Sequence, residues 1–238
     1  RLIIGKTEMN EVDGTTDVGT LPQPETGSGG RPAAGEDPAK RQQILDGAQR
    51  VFMRMGYDVA SMNDITREAG VSKGTLYVYF RNKEDLFVAI IERQKLKMFG
   101  ELQEILQRDM PVDETLHDFG VLFATHLLST KTIRALRYIV AMTDRMPSLG
   151  NMFLATGPRS GPMMLADYLR KQMEKGNLRD IDDPLQTGRQ FGDLCLAGLF
   201  RPRLFGELTE EPTPERIEKN VADAIRLFMN TYGVQNRR

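Results

Sequence analysis

Between Ser61 and Lys83 the chain reads SMNDITREAGVSKGTLYVYFRNK, a run of hydroxyls, tyrosines and lysines spaced so that short helices could present them to a nucleic-acid duplex. Lysine and hydroxyl groups bond phosphates or base edges, and a threonine methyl or a tyrosine ring can touch a thymine methyl. That chemistry is noncovalent and works only if the groups are held in place. The neighbouring residues supply the means. Ser61 sits where an N-cap belongs, with Asp64 three residues on in the reciprocal position. Gly70 then ends the first helix through a left-handed residue, and Val71 can pack back on Ile65 and Ala69. Ser72 caps a second helix in which Leu76 and Phe80, four apart, face inward and leave Lys73, Thr75, Tyr77 and Tyr79 outside. Gly74 lets the backbone come close to a partner. Asn82 caps a third helix with Asp85 at its third position, and Lys83 at that helix start is expected on a phosphate. The pattern is a helix-turn-helix, and the candidate DNA-contacting set is Ser61, Asn63, Ser72, Lys73, Gly74, Thr75, Tyr77, Tyr79 and Lys83. An ordinary helical hairpin is the plainer alternative; three successive capped helix starts weigh against it.

Upstream, Asp37 and Pro38 form a helix start, and Ile44, Leu45, Ala48, Val51, Phe52 and Met55 recur at helical spacing before Gly56. From Asp37 to Ile91 the chain resembles the N-terminal domain of the TetR/AcrR family of bacterial transcriptional regulators. The resemblance rests on Phe52 to Tyr57, an aromatic-x-x-x-G-Y pattern. It rests also on Ile65, Ala69, Gly70, Val71, Ser72, Gly74, Thr75, Leu76, Tyr77, Tyr79, Phe80, Lys83 and Leu86, all at family positions. Thr66 stands where alanine is usual, and Met62 replaces a common threonine.

Composition agrees. With 238 residues and 40% hydrophobic content the chain can bury a sizeable core in one large or two modest domains. A net charge of −1 and a pI near 6.2 exclude a nonspecific DNA coater, whose affinity would come from phosphate neutralisation. Between Asp37 and Ile91 eight Lys and Arg face seven Asp and Glu, so steering is weak, and many of those acids lie near helix starts. The single Cys195 fits a reducing compartment and a buried site. The apolar run LCLAGLF is too short for a membrane span, and Leu2 to Ile4 is too short for a signal peptide, so a cytoplasmic protein is expected. His117 and His126 are nine apart with no further ligand at metal spacing, and Gly5-Lys6-Thr7 lacks the upstream glycine and strand of a phosphate loop. No metal, no cofactor and no paired nucleophile and base are expected, hence no enzyme.

The punctuation divides the chain into a flexible arm over residues 1–36, the helix-turn-helix domain over 37–91 and a helical domain over 92–238. A long apolar-periodic run follows Asn82 without a breaker until Pro111. Further helices are expected over about 113–128, 131–146, 148–175, 184–200 and 214–232, with no strand. The fold class is therefore all-α: a three-helix DNA-binding domain joined by a long helix to a second helical domain.

The C-terminal part, with PSLGNMF, GNLRDIDDP and LAGLFRPRLFG, resembles the C-terminal domain of AefR-like members of the same superfamily. The resemblance implies an apolar effector pocket between helices and a four-helix dimer interface built from the last two helices. Met98, Phe99, Leu102, Phe119, Phe123, His126, Tyr138, Met142 and Phe153 are the pocket candidates, a lining suited to hydrophobic ligands. Phe191, Leu194, Ile217, Val221, Ala224, Ile225 and Phe228 are the candidate seam, although an apolar stripe of this kind also describes an intramolecular core. The expected function is a sequence-specific repressor that binds a palindromic double-stranded operator as a homodimer and is released by a small, hydrophobic effector. A ligand-dependent activator is the alternative, with an all-helical enzyme using the C-terminal cavity behind it.

Overall fold

The computed structural model describes residues 35–144 and 160–234. Among these the chain is all-helical: α1 (Pro38–Met55), α2 (Met62–Ala69), α3 (Lys73–Tyr79), α4 (Lys83–Leu106), α5 (Val112–Leu128), α6 (Thr130–Met142), α7 (Gly161–Glu174), α8 (Pro184–Cys195), α9 (Phe200–Phe205) and α10 (Pro214–Tyr232). The expected arm, apart from its last two residues, and Phe153 lie outside the described residues. None of the described helices is long and apolar enough to cross a membrane.

Most helix starts follow from local chemistry. The Asp37 carboxylate accepts from the Ala39 and Lys40 amides at 2.9 and 3.1 Å, and Pro38 presets the first turn of α1. Asn82 and Asp183 cap α4 and α8 in the same manner. Around α1 to α3 and the first half of α4, Ile44, Leu45, Val51, Ile65, Leu76, Leu86 and Ile90 close one core. This core depends on a near-contact between α1 and α2. A Cβ on Gly47 would lie 2.6 Å from the Ala69 Cβ, so only glycine allows the two helices to approach.

The second half of α4 enters a larger core. Leu102 packs there with Leu116 and Phe119 of α5, Leu165 of α7, Phe191 of α8 and Val221 and Phe228 of α10. A third cluster lies between the two cores, where Phe87 and Ile91 of α4 meet Ile139 of α6, with Phe52, Tyr57 and Tyr138 packed against them. A single helix about 36 Å long thus runs through all three.

Two expected helices change. The element expected over 184–200 stops at Cys195, because Gly198 adopts a φ of +69° and turns the chain into the short α9. The helix expected from residue 148 is described only from Gly161. The turn into α9 positions Arg203, which is 2% exposed. Its guanidinium donates to the carbonyls of Leu128, Leu208 and Thr209 and to the Thr130 hydroxyl, at 2.6–3.2 Å. It fastens the α5–α6 corner to the loop before α10. Arg203→Met should therefore lower stability by about 2–4 kcal/mol, because several acceptors lose a charged donor at once. A urea midpoint within error of the parent's would contradict this. Cys195 is fully buried, and desolvation pushes its thiol from 9.0 up to about 12. The neutral thiol is the form folding favours, so its contribution holds below pH 9 and declines as pH rises toward 12. A thiol reagent at pH 8 should label the unfolded chain and leave the folded one unlabelled.

Candidate nucleic-acid interface and the cavity behind it

The turn between α2 and α3 is built as its residues require. The Ser61 hydroxyl accepts from the Asp64 amide and the Asp64 carboxylate accepts from the Ser61 amide, both at 3.2 Å, closing a reciprocal cap. Gly70 takes φ +63° and ψ +39°, and the Val71 amide reaches back to the Thr66 carbonyl at 3.1 Å. The Ser72 hydroxyl then accepts from the Thr75 amide at 3.0 Å and starts α3. Leu76 is wholly buried, and Phe80 closes the domain behind it.

The outer face of α3 carries Lys73, Gly74 and Tyr77, the last 44% exposed. Ser61, Asn63 and Ser72 are also exposed, at the start of α2 and the start of α3. Thr75 is half-buried, and its hydroxyl lies 2.7 Å from that of Ser72. Two expected contacts turn out otherwise. Tyr79 is half-buried against the first core, because α3 ends there and the chain turns toward Phe80. Lys83 points inward: its ammonium donates to the carbonyls of Tyr57, Asp58 and Ala60 at 2.7–3.3 Å and lies 4.3 Å from the Tyr57 ring centroid. Its protons tether the α1–α2 turn. Val78, which spacing alone had not singled out, is exposed beside Tyr77.

The acids of this domain are largely neutralised by neighbours. Glu68 accepts from Arg50 and Arg54, which hold its carboxyl below the usual range. The Ser61 hydroxyl and amide do the same for Asp64, helped by Arg67. Arg81 pairs with Asp85. The face carrying Lys73 and Tyr77 therefore meets a polyanion without an uncompensated carboxylate on α2 or α3.

A cavity of about 820 Å3 lies between α1, α4, α5, α6 and the start of α7. Among the pocket candidates, Met98, Phe99, Phe123, His126, Tyr138 and Met142 line it. Leu102 and Phe119 do not; both are buried in the second core, since they lie on the sides of α4 and α5 turned toward α7 to α10. The walls also include residues that no helical period could assign: Phe52 and Met53 of α1, Tyr57 and Asp58 of the following turn, Ser160 ahead of α7 and Arg189 of α8. Tyr57 packs against Tyr138 with ring centroids 3.9 Å apart and the planes tilted by 38°, and Phe87 meets both edge-on. Burial, then Tyr138 and Glu84, push the Tyr57 phenol up, so it stays protonated. His126 lies 3.1 Å from Glu101.

The expected dimer seam is corrected by the packing. Phe191, Ile217, Val221, Ala224 and Phe228 are buried within one chain, where α10 crosses α5 and α8. A Cβ on Gly120 would stand 2.8 Å from Val221, so α5 and α10 approach as closely as glycine allows. Leu194 remains 36% exposed and Ile225 half-buried. On the outer side of α10, Leu227 is 48% exposed.

The tether suggests a test. Lys83→Ala should destabilise the protein by about 1–3 kcal/mol, through loss of a charged donor to three carbonyls, with the salt slope of any DNA binding unchanged. A reduced salt slope with unchanged stability would return Lys83 to a phosphate.

Comparison with known proteins agrees with this geometry. Residues 44–90 match the profile described as bacterial regulatory proteins of the tetR family, and residues 114–234 match the AefR-like transcriptional repressor C-terminal domain. An HTH-type transcriptional repressor of Mycobacterium tuberculosis is 31% identical over 175 residues, 71% of this chain and 84% of that protein. The HTH-type transcriptional repressor AcnR of Corynebacterium diphtheriae is 28% identical over 191 residues, 79% of this chain and 92% of its own length. A crystal structure from Mesorhizobium loti, assigned to the TetR family, superposes with a TM-score of 0.73 at 23% identity, covering 82% of this chain and 98% of that one. The capped helix-turn-helix, the helical domain behind it and these likenesses together place the chain in the TetR family of bacterial DNA-binding transcriptional regulators, with a C-terminal domain of the AefR-like type.

Proposed function

We propose that the protein is a repressor that binds a palindromic operator as a homodimer and leaves it when a small, mainly apolar effector fills the cavity. The observation that carries this reading is the position of the cavity. Its walls include Tyr57 and Asp58 of the turn that Lys83 tethers, so an occupant would touch the DNA-reading domain directly. Both named relatives above are repressors, which supports the sign of regulation.

Reading falls to Lys73, Gly74 and Tyr77 on α3, with Thr75 and Ser72 at its start and Ser61 and Asn63 near the start of α2 as backbone anchors. On a two-fold dimer, two such helices enter successive major grooves about 34–36 Å apart. An effector that fits one spacing of the heads better than the other shifts the population between bound and free forms. Because the apolar stripe of α10 is spent inside the chain, the seam falls on the outer faces of α8 and α10, at Leu194, Ile225 and Leu227.

Selection of bound duplexes from a random pool tests the reading. A palindromic consensus is expected, and Tyr77→Ala should lower affinity for it about tenfold at an unchanged melting temperature. No enrichment, or full affinity in the variant, would remove α3 from the interface. The double variant Leu194→Asp, Leu227→Asp should run as a monomer in light scattering and lose the paired half-site preference; a persisting dimer would place the seam elsewhere.

A further inference from the structure

One end of the cavity differs in chemistry from the rest. Ser160 is only 5% exposed, lines the cavity and has a buried hydroxyl with no hydrogen-bond partner among the described residues. It stands at the N-cap of α7, where a serine normally accepts from a first-turn amide, yet it makes no such bond. A buried hydroxyl left unmated is costly, and one facing a cavity invites a ligand atom. The first turn of α7, Gly161 and Pro162, forms the same wall. α7 has 14 residues, so its start carries the partial positive charge of a full helix, with an amide at Gly161 and none at Pro162.

Two further groups converge there. The backbone of Gly188 packs close to the Pro162 carbonyl, a Cβ there falling 3.4 Å from it, and the next residue, Arg189, lines the cavity with no ion-pair partner among the described residues. From α4, Phe99 approaches Gly161 to 3.7 Å of where a Cβ would stand, and the Lys95 ammonium lies 5.8 Å from the Phe99 ring centroid. Burial lowers the Lys95 pKa, against the opposing pull of Glu92. Over the whole described wall the Lys and Arg side chains are Lys95, Lys131, Arg134, Arg137 and Arg189, and Asp58 is the one carboxylate. A cationic ligand would be repelled by this lining, whereas an anion is favoured by it.

We propose that this end of the cavity seats the carboxylate of an amphipathic effector. The Ser160 hydroxyl and the Gly161 amide donate to it, Arg189 supplies the countercharge, and its apolar body runs along α4 toward Phe87 and Tyr57. From Phe99 back to Phe87 is about 18 Å along the helix, which suits an extended chain or a pair of linked rings. The proposal rests on the cavity being the effector site and adds the sign of the ligand's charge and the place of its head group.

Three probes of equal length separate these readings: dodecanoate, its methyl ester and dodecylamine, titrated calorimetrically into the full chain, with release of the selected operator duplex as a second readout. Dodecanoate should bind at least tenfold more tightly than the ester and release DNA, with the amine weakest. Arg189→Gln and Ser160→Ala should each weaken dodecanoate about tenfold and leave the ester unchanged. Ser160→Ala should also keep the melting temperature of the ligand-free protein, since the hydroxyl has no partner to lose among the described residues. Equal binding of acid and ester would overturn the carboxylate seat while leaving the cavity as an effector site. Binding of neither, or binding without DNA release, would overturn the effector reading itself. A lower ligand-free melting temperature in Ser160→Ala with unchanged dodecanoate affinity would make Ser160 a helix cap only.

Discussion

Everything in this protein hangs on the continuity of α4 through two hydrophobic cores. Leu86 and Ile90 are buried with the reading head, and Leu102 is buried with α5, α7, α8 and α10. A hydrogen-bonded helix resists bending between its ends, and this one is packed into both cores. The aromatic joint at mid-helix adds a second link. Tyr57 belongs to the head, Tyr138 to α6, and Phe87 of α4 meets both, so three elements share one cluster of rings.

The same economy governs charge. The carboxylates of α2, and Asp85 at the start of α4, cap helix starts or bind arginine, and so do not oppose a polyanion. A near-neutral chain can thereby present a locally favourable face to DNA without the nonspecific affinity that a strongly basic surface would bring. Arg203 does the opposite job. It is a full charge held almost entirely among backbone carbonyls, tolerable because its donors meet acceptors at bonding distance.

Much of the fold was legible in the sequence. The Ser61–Asp64 cap, the Gly70 turn and the inward pair Leu76 and Phe80 were all readable, as was the all-helical class. Less was legible at the site. Tyr79 and Lys83 were assigned outward because spacing on a helix ranks faces but says nothing of where a helix ends or what a long side chain can reach. Lys83 crosses to carbonyls 23 to 26 residues away, a distance invisible to any local pattern.

By itself the sequence determined what is decided within about one helical turn: capped starts, glycine exits and the apolar period of each helix. These need only neighbours three or four residues away, so the residue types suffice. Tertiary structure alone decided which surface each stripe covers. The stripe of Ile217, Val221, Ala224 and Phe228 would suit a partner subunit as well as its own core, and only the packing of α10 on α5 and α8 shows these side chains buried within the chain. It alone also gathered Tyr57, Lys95, Ser160 and Arg189 around one cavity, because each comes from a different element and no sequence interval connects them. Periodicity measures the amphipathicity of a helix; the partner that buries each face is chosen by long-range packing.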